Sequence, residues 1–174
     1  AWAEGLQNKD AGISVTLGIP RFDWDHIPLA NPEALREVSY NTIASFCVNV
    51  GNPHAVVFVE DLEQVGSLKH PPVVRPKELY PEGVNVEFVK ITDGNSIEMR
   101  VFERGSGETR SCGTGTCAVA LAATLHTKGR LPATWIINPP GGRLEVVIDG
   151  HSNATLTGPA VLVKDVDISR FLVE

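Results

Sequence analysis

Residues 116–128 are the stretch that most restricts how this chain can fold. The run Thr116-Cys117-Ala118-Val119-Ala120-Leu121-Ala122-Ala123-Thr124-Leu125-His126-Thr127-Lys128 is rich in Ala and Leu and reaches a formal charge only at Lys128. Ala and Leu are strong helix formers, and Gly129 stands where a C′ residue would end the helix. A helix of small apolar residues with no polar face belongs inside a protein, so the rest of the chain must wrap it.

That remainder reads as β-structure. Strands are expected at Ile13–Leu17, Tyr40–Val50, His54–Glu60, Val84–Thr92, Ile97–Phe102, Thr134–Asn138, Arg143–Ile148, Ala154–Thr157 and Val161–Lys164. Turn residues separate them, and Asp93-Gly94-Asn95 between two alternating runs is a hairpin signal. A short helix is expected near Glu33–Glu37 after Asn31 and Pro32, and another between Asp61, as N-cap, and Gly66. The Pro-rich stretch 71–81 reads as extended loop. The expected fold is therefore mixed α/β (α+β), a curved barrel-like sheet around one central helix. At 174 residues with 43% apolar content the chain suits a single domain, 1–174, with residues 1–18 as a hinge or strand.

The net charge of −6 and the scatter of the basic residues argue against nucleic acid as a partner. No apolar stretch has the length of a membrane span and residues 1–10 lack a signal pattern, so a cytoplasmic location is the expectation. Three cysteines, Cys47, Cys112 and Cys117, cannot form a closed disulfide set and lack zinc-site spacing. Cys47 and Cys117 read as small buried hydrophobes.

Cys112 stands apart. It follows the Gly-loosened segment Glu103-Arg104-Gly105-Ser106-Gly107-Glu108-Thr109-Arg110-Ser111 and precedes Gly113-Thr114-Gly115 at the mouth of the helix. A helix N-terminus offers unpaired N–H groups and partial positive charge. Both favour a thiolate and a bound carboxylate, so a lowered thiol pKa is expected. Proton abstraction next to a carboxylate needs such donors in a dry site. Inversion also needs a second acid on the opposite face. Asn85 alternates with Val84, Val86 and Phe88, which puts it on one face with Glu87.

Four segments, in order, resemble the second domain of the diaminopimelate epimerase family. They are Gly51-Asn52-Pro53-His54, Gly83-Val84-Asn85-Val86-Glu87-Phe88, Glu103-Arg104-Gly105 with Gly107-Glu108-Thr109, and Cys112-Gly113-Thr114-Gly115. Leu156–Ala160 is similar to the family's closing strand. The resemblance implies a cofactor-independent enzyme that interconverts LL- and meso-diaminopimelate with two thiols, in lysine and peptidoglycan precursor biosynthesis. It implies Cys112 as one catalytic acid/base and Gly113 and Thr114 as amide donors to the substrate carboxylate. His54 and Glu103 would tune the thiols. Asn52, Asn85, Glu103 and Arg104 would hold the substrate's other polar groups. No pyridoxal phosphate, metal or nucleotide is implied. The family's first cysteine lies in an N-terminal domain that this sequence does not contain. The expectation is thus half an active site, inactive alone, whose partners are that domain and, in the intact enzyme, a second copy.

Other readings are a proline racemase-like isomerase, which shares the Cys-Gly-Thr-Gly helix mouth, and a non-catalytic amino-acid-binding domain. A redox pair of Cys112 and Cys117 is a third.

Overall fold

The computed structural model describes residues 12–22, 39–40, 43–76 and 79–161. The expected helix near Glu33–Glu37 and most of the expected strand Val161–Lys164 lie outside these residues.

Among the described residues, eleven strands form one sheet around the helix Gly113–His126 (α1). In chain order they are Ile13–Gly18 (β1), Ser39–Tyr40 (β2), Ile43–Asn49 (β3), Pro53–Phe58 (β4), Val74–Arg75 (β5), Asn85–Asp93 (β6), Ser96–Glu103 (β7), Gly107–Thr109 (β8), Ala133–Asn138 (β9), Leu144–Ile148 (β10) and Ala154–Gly158 (β11). Their spatial order is β1-β11-β10-β9-β7-β6-β4-β3-β2-β5, with β8 added beside β7. Pairing is antiparallel except for β4 with β6 and β7 with β9, which run parallel. The parallel pairs matter for the site: β4 and β6 start at the same end of the sheet, with His54 opposite Asn85.

The sheet curls so that β3, β4, β6, β9, β10 and β11 all touch α1. From Gly115 to Thr124 every residue of the helix is buried. Two hydroxyls in that dry interior are satisfied locally: Thr116 and Thr124 donate to the carbonyls of Cys112 and Ala120 at 2.7 and 2.9 Å. Trp135 on β9 then donates its indole N–H to Thr124 Oγ1 at 2.8 Å, tying sheet to helix.

A second core lies on the outer face of the same sheet. Cys47, Ala55, Val57, Val86, Phe88 and Phe102 point away from α1 and pack with Leu68, Val74, Leu79 and Tyr80. Alternation along β6 is therefore between two buried faces, not between core and solvent. The consequence for Glu87 and Asn85 is large: both point inward and are 0% and 3% exposed.

Several local expectations hold. Asp61 caps a 3-10 turn at Leu62–Val65, its side chain accepting from Glu63 N–H. β6 and β7 form the hairpin around Asp93-Gly94-Asn95. Two details differ. The helix starts at Gly113, because Cys112 in extended conformation serves as its N-cap. At the other end Thr127 is the C-cap and Lys128, not Gly129, takes the left-handed conformation (φ 55°). Residues 74–75, expected in loop, form β5 through pairing with β2.

Candidate active site

The start of β4, the start of β6, the end of β7 and the N-terminus of α1 meet at one end of the barrel. There the structure gathers Asn52, His54, Asn85, Glu87, Glu103 and Cys112.

Cys112 Sγ accepts from Gly115 N–H at 3.4 Å and lies 3.5 Å from Thr114 Oγ1. The first helical hydrogen bond runs from Thr116 N–H to Cys112 O at 2.8 Å. The amides of Gly113 and Thr114 precede that bond, so they belong to the unpaired first turn of the helix. A carboxylate placed at the mouth would meet both amides beside the thiol.

The thiol's protonation differs from the sequence-based expectation. Burial pushes the Cys112 pKa up, and the carboxylates of Glu87 and Glu103 push it further. The hydrogen bonds from Thr114 and Gly115 work in the opposite direction without prevailing. Desolvation thus outweighs the helix terminus, and Cys112 rests as a neutral thiol near neutral pH.

His54 and Glu87 are fully buried and joined at 2.7 Å, Nδ1 to Oε1, while His54 Nε2 lies 2.9 Å from Asn52 Oδ1. Sequence reasoning assigned Glu87 no role. The available signal was a carboxylate beside Asn85 on a strand whose other neighbours are apolar. Gly115 explains how closely these groups pack: a Cβ there would sit 2.6 Å from Glu87 Oε1 and 3.3 Å from Cys112 Sγ.

Asn85 uses both ends of its carboxamide within the protein. Nδ2 donates to Pro53 O at 3.0 Å, and Oδ1 accepts from Arg104 N–H at 2.9 Å. It therefore pins the entry of β4 to the exit of β7. Asn85→Leu leaves both backbone groups unpaired and is expected to cost about 1–3 kcal/mol, read as a lower urea midpoint.

Glu103 is half-buried and its Oε1 accepts a short hydrogen bond from Thr109 Oγ1, which β8 brings back across β7. Arg104 is the most exposed of these residues. Its side chain lies over Gly83, whose φ is +79° and whose absent Cβ would fall 3.2 Å from Arg104 Cδ. Its guanidinium donates to Glu82 O at 3.1 Å. Arg104 also borders an outer-face cavity of about 560 Å³ with Tyr80, Val84 and Phe102; Asn52, His54 and Cys112 do not line it. Among the described residues no three His, Cys, Asp or Glu side chains cluster as metal ligands would. No helix there is long and apolar enough to cross a membrane.

Cys47 and Cys117 are core residues, as expected. Burial raises them to about 11 and about 12. Neutral thiols therefore stabilise the fold fully below the unfolded thiol value, near about 8.5, and that contribution is lost as pH rises through the folded values. The urea midpoint is expected to fall from about pH 9 upward, and more shallowly in a Cys47→Ala, Cys117→Ala variant.

A curved sheet closed on an apolar helix, with a thiol capping that helix, defines the class. The same fold occurs in a Bacillus anthracis phenazine biosynthesis protein of the PhzF family (TM-score 0.58, 15% identity, 92% of this chain and 62% of that one). It also occurs in a hydroxyproline epimerase from Agrobacterium vitis (TM-score 0.54, 19% identity, 86% and 50%). The family model described as diaminopimelate epimerase matches residues 46–163. The chain belongs to the diaminopimelate epimerase family. Similar relatives are the diaminopimelate epimerases of Streptomyces coelicolor (50% identity, 68% of this chain, 43% of the relative) and Sphingopyxis alaskensis (41%, 90% and 59%). That of Geobacillus kaustophilus is 36% identical over 87% of this chain and 54% of its own length. The chain thus spans about half the length of these relatives.

Proposed function

We propose that this chain carries one half of an active site that inverts the α-carbon of diaminopimelate, with Cys112 as one of two proton-handling thiols. The observation that carries this reading is Cys112 at the N-cap of α1, its sulfur beside the free first-turn amides of Gly113 and Thr114. Those amides would hold the substrate's α-carboxylate and take up the negative charge that develops on it when the α-proton leaves.

The raised Cys112 pKa fits the partner that rests protonated. In one direction Cys112 would give its proton to the α-carbon while a thiolate on the opposite face removes the original one. The new Cys112 thiolate would be held by Gly115 N–H, the Thr114 hydroxyl and the helix terminus. In the reverse direction the same thiolate is the base. The opposite thiol would come from the family's N-terminal domain, so this chain alone would not invert substrate.

Glu103 would act on the thiol through its charge, and His54 through the buried network beside it. Asn52 and Arg104 would take the distal polar groups, Arg104 being suited to a second carboxylate. With both ends of Asn85 engaged, that residue would shape this end of the site more than grip a ligand. A cytoplasmic enzyme that works as a homodimer completes the reading.

The test is proton NMR in deuterated water on this chain joined to an N-terminal domain of the family. Loss of the α-proton from diaminopimelate but not from proline is expected. Exchange of proline with diaminopimelate untouched would overturn the substrate assignment in favour of a proline racemase-like activity.

A further inference from the structure

Glu87 is the buried group that the carboxylate cradle leaves unexplained. Its Oε1 lies 2.7 Å from His54 Nδ1, and its Oε2 is buried without a hydrogen-bond partner among the described residues. Among the described residues His54 is the one basic group paired with its carboxylate. The titratable groups that feel its charge are acids: Tyr80, across the sheet on the outer face, and Cys112, which also feels Glu103. Cys47 neighbours Tyr80, and Cys117 neighbours Cys112.

Burying an unpaired charge is costly, and more so where one carboxylate oxygen lacks a donor. The pair is therefore net neutral, with one proton held between Oε1 and Nδ1. A proton on Oε2 would be a buried donor without an acceptor, so neutrality puts hydrogen on the other ring nitrogen, Nε2, whichever of the two atoms holds the shared proton. Nε2–H then donates to Asn52 Oδ1, 2.9 Å away. That contact fixes which way the Asn52 carboxamide is turned and leaves its NH₂ group to donate elsewhere.

We propose that Glu87 is a positioning residue for the ligand end of the site. By holding Nδ1 of His54 it commits Nε2–H to Asn52, and Asn52 in turn presents a donor suited to a carboxylate oxygen. The chain of contacts runs from a residue that meets no ligand to one that does. Gly115 is part of the device, since any Cβ there would strike Glu87 Oε1.

The proposal rests on reading Asn52 as a ligand group, but its test needs no turnover. Two-bond ¹H–¹⁵N correlation spectra of this chain, labelled at histidine, report which ring nitrogen bears hydrogen; His54→Asn identifies the signal. The expected result is hydrogen on Nε2 of His54, exchanging slowly with solvent. Glu87→Gln is expected to retain it, because the Gln amide can donate to Nδ1. Glu87→Leu is expected to lose the single pattern and show both tautomers in fast exchange. A bare Nε2 in the unsubstituted chain overturns the proposal. So does a Glu87→Leu spectrum identical at His54 to the parent. If Glu87→Leu fails to fold, loss of the Nε2 hydrogen in Glu87→Gln overturns it instead. A protein that failed to exchange α-protons would leave these outcomes intact, so the two readings fail separately.

Discussion

Cys112→Ala, in this chain joined to an N-terminal domain of the family, is expected to lower α-carbon inversion by at least about 10³-fold while diaminopimelate still binds. General acid–base groups contribute about 10²–10⁴-fold, and in the proposed mechanism the residue removed also delivers the proton that defines the product's hand. Binding should persist because the proposed cradle is made of backbone amides. Gly113 and Thr114 N–H remain in place, and alanine leaves the helix N-terminus open although it removes the sulfur that accepts from Gly115 N–H. Inversion followed by circular dichroism, with affinity measured by calorimetry, separates the two. A variant that inverted at near-normal rate would remove Cys112 from the mechanism. One that bound tenfold more weakly would make the thiol part of the cradle.

Gly115→Ala sets two physical effects against each other. Gly115 lies inside α1 with no left-handed φ, so helix propensity alone would make alanine stabilising by about 1 kcal/mol. The new Cβ would meet Glu87 Oε1 at 2.6 Å and Cys112 Sγ at 3.3 Å. Glu87 cannot step aside cheaply, being fully buried and held by His54. Overpacking of this kind costs about 1–3 kcal/mol, so a net loss of stability is expected. The thiol should move with it, and a displacement near 1 Å at a reacting group lowers turnover by about 10²-fold. Urea denaturation and the inversion assay read the two effects. A stabilised variant with full activity would mean that Glu87 and Cys112 do not crowd Gly115 as these distances require.

The sequence makes the architecture legible where local rules dominate. The small apolar helix announces its own burial, and the Asp93-Gly94-Asn95 turn with alternating flanks announces a hairpin. Asp61 signals its cap. The start of α1 is harder to read, since Gly113-Thr114-Gly115 are weak helix formers and only the capping geometry of Cys112 places them in the first turn. The candidate site residues are named by their motifs, and the fold brings most of them to one end of the barrel. Arg104 is the exception in aim: its backbone is pinned to Asn85, while its side chain reaches over Gly83 towards the outer face.

What sequence reasoning misses depends on distant packing. Val84, Val86 and Phe88 suggest a strand with one buried face. A second core that includes Leu68, Val74, Leu79 and Tyr80 buries the sheet from outside as well, so Glu87 becomes an interior carboxylate in need of His54. The same cause inverts the expectation for the thiol. A helix mouth lowers a cysteine pKa by rule, but the depth of burial and two nearby carboxylates are set by the tertiary fold.

The most direct measurement is a diaminopimelate titration of this chain followed in ¹H–¹⁵N backbone spectra. Saturable shifts at Gly113, Thr114 and Gly115, retained in Cys112→Ala, are the expected result, because the ligand's carboxylate would lie on those amides. Saturable shifts that spare residues 113–115 and gather instead around Lys69, Val74 and Tyr80 would contradict it, and would move the ligand to the outer-face cavity.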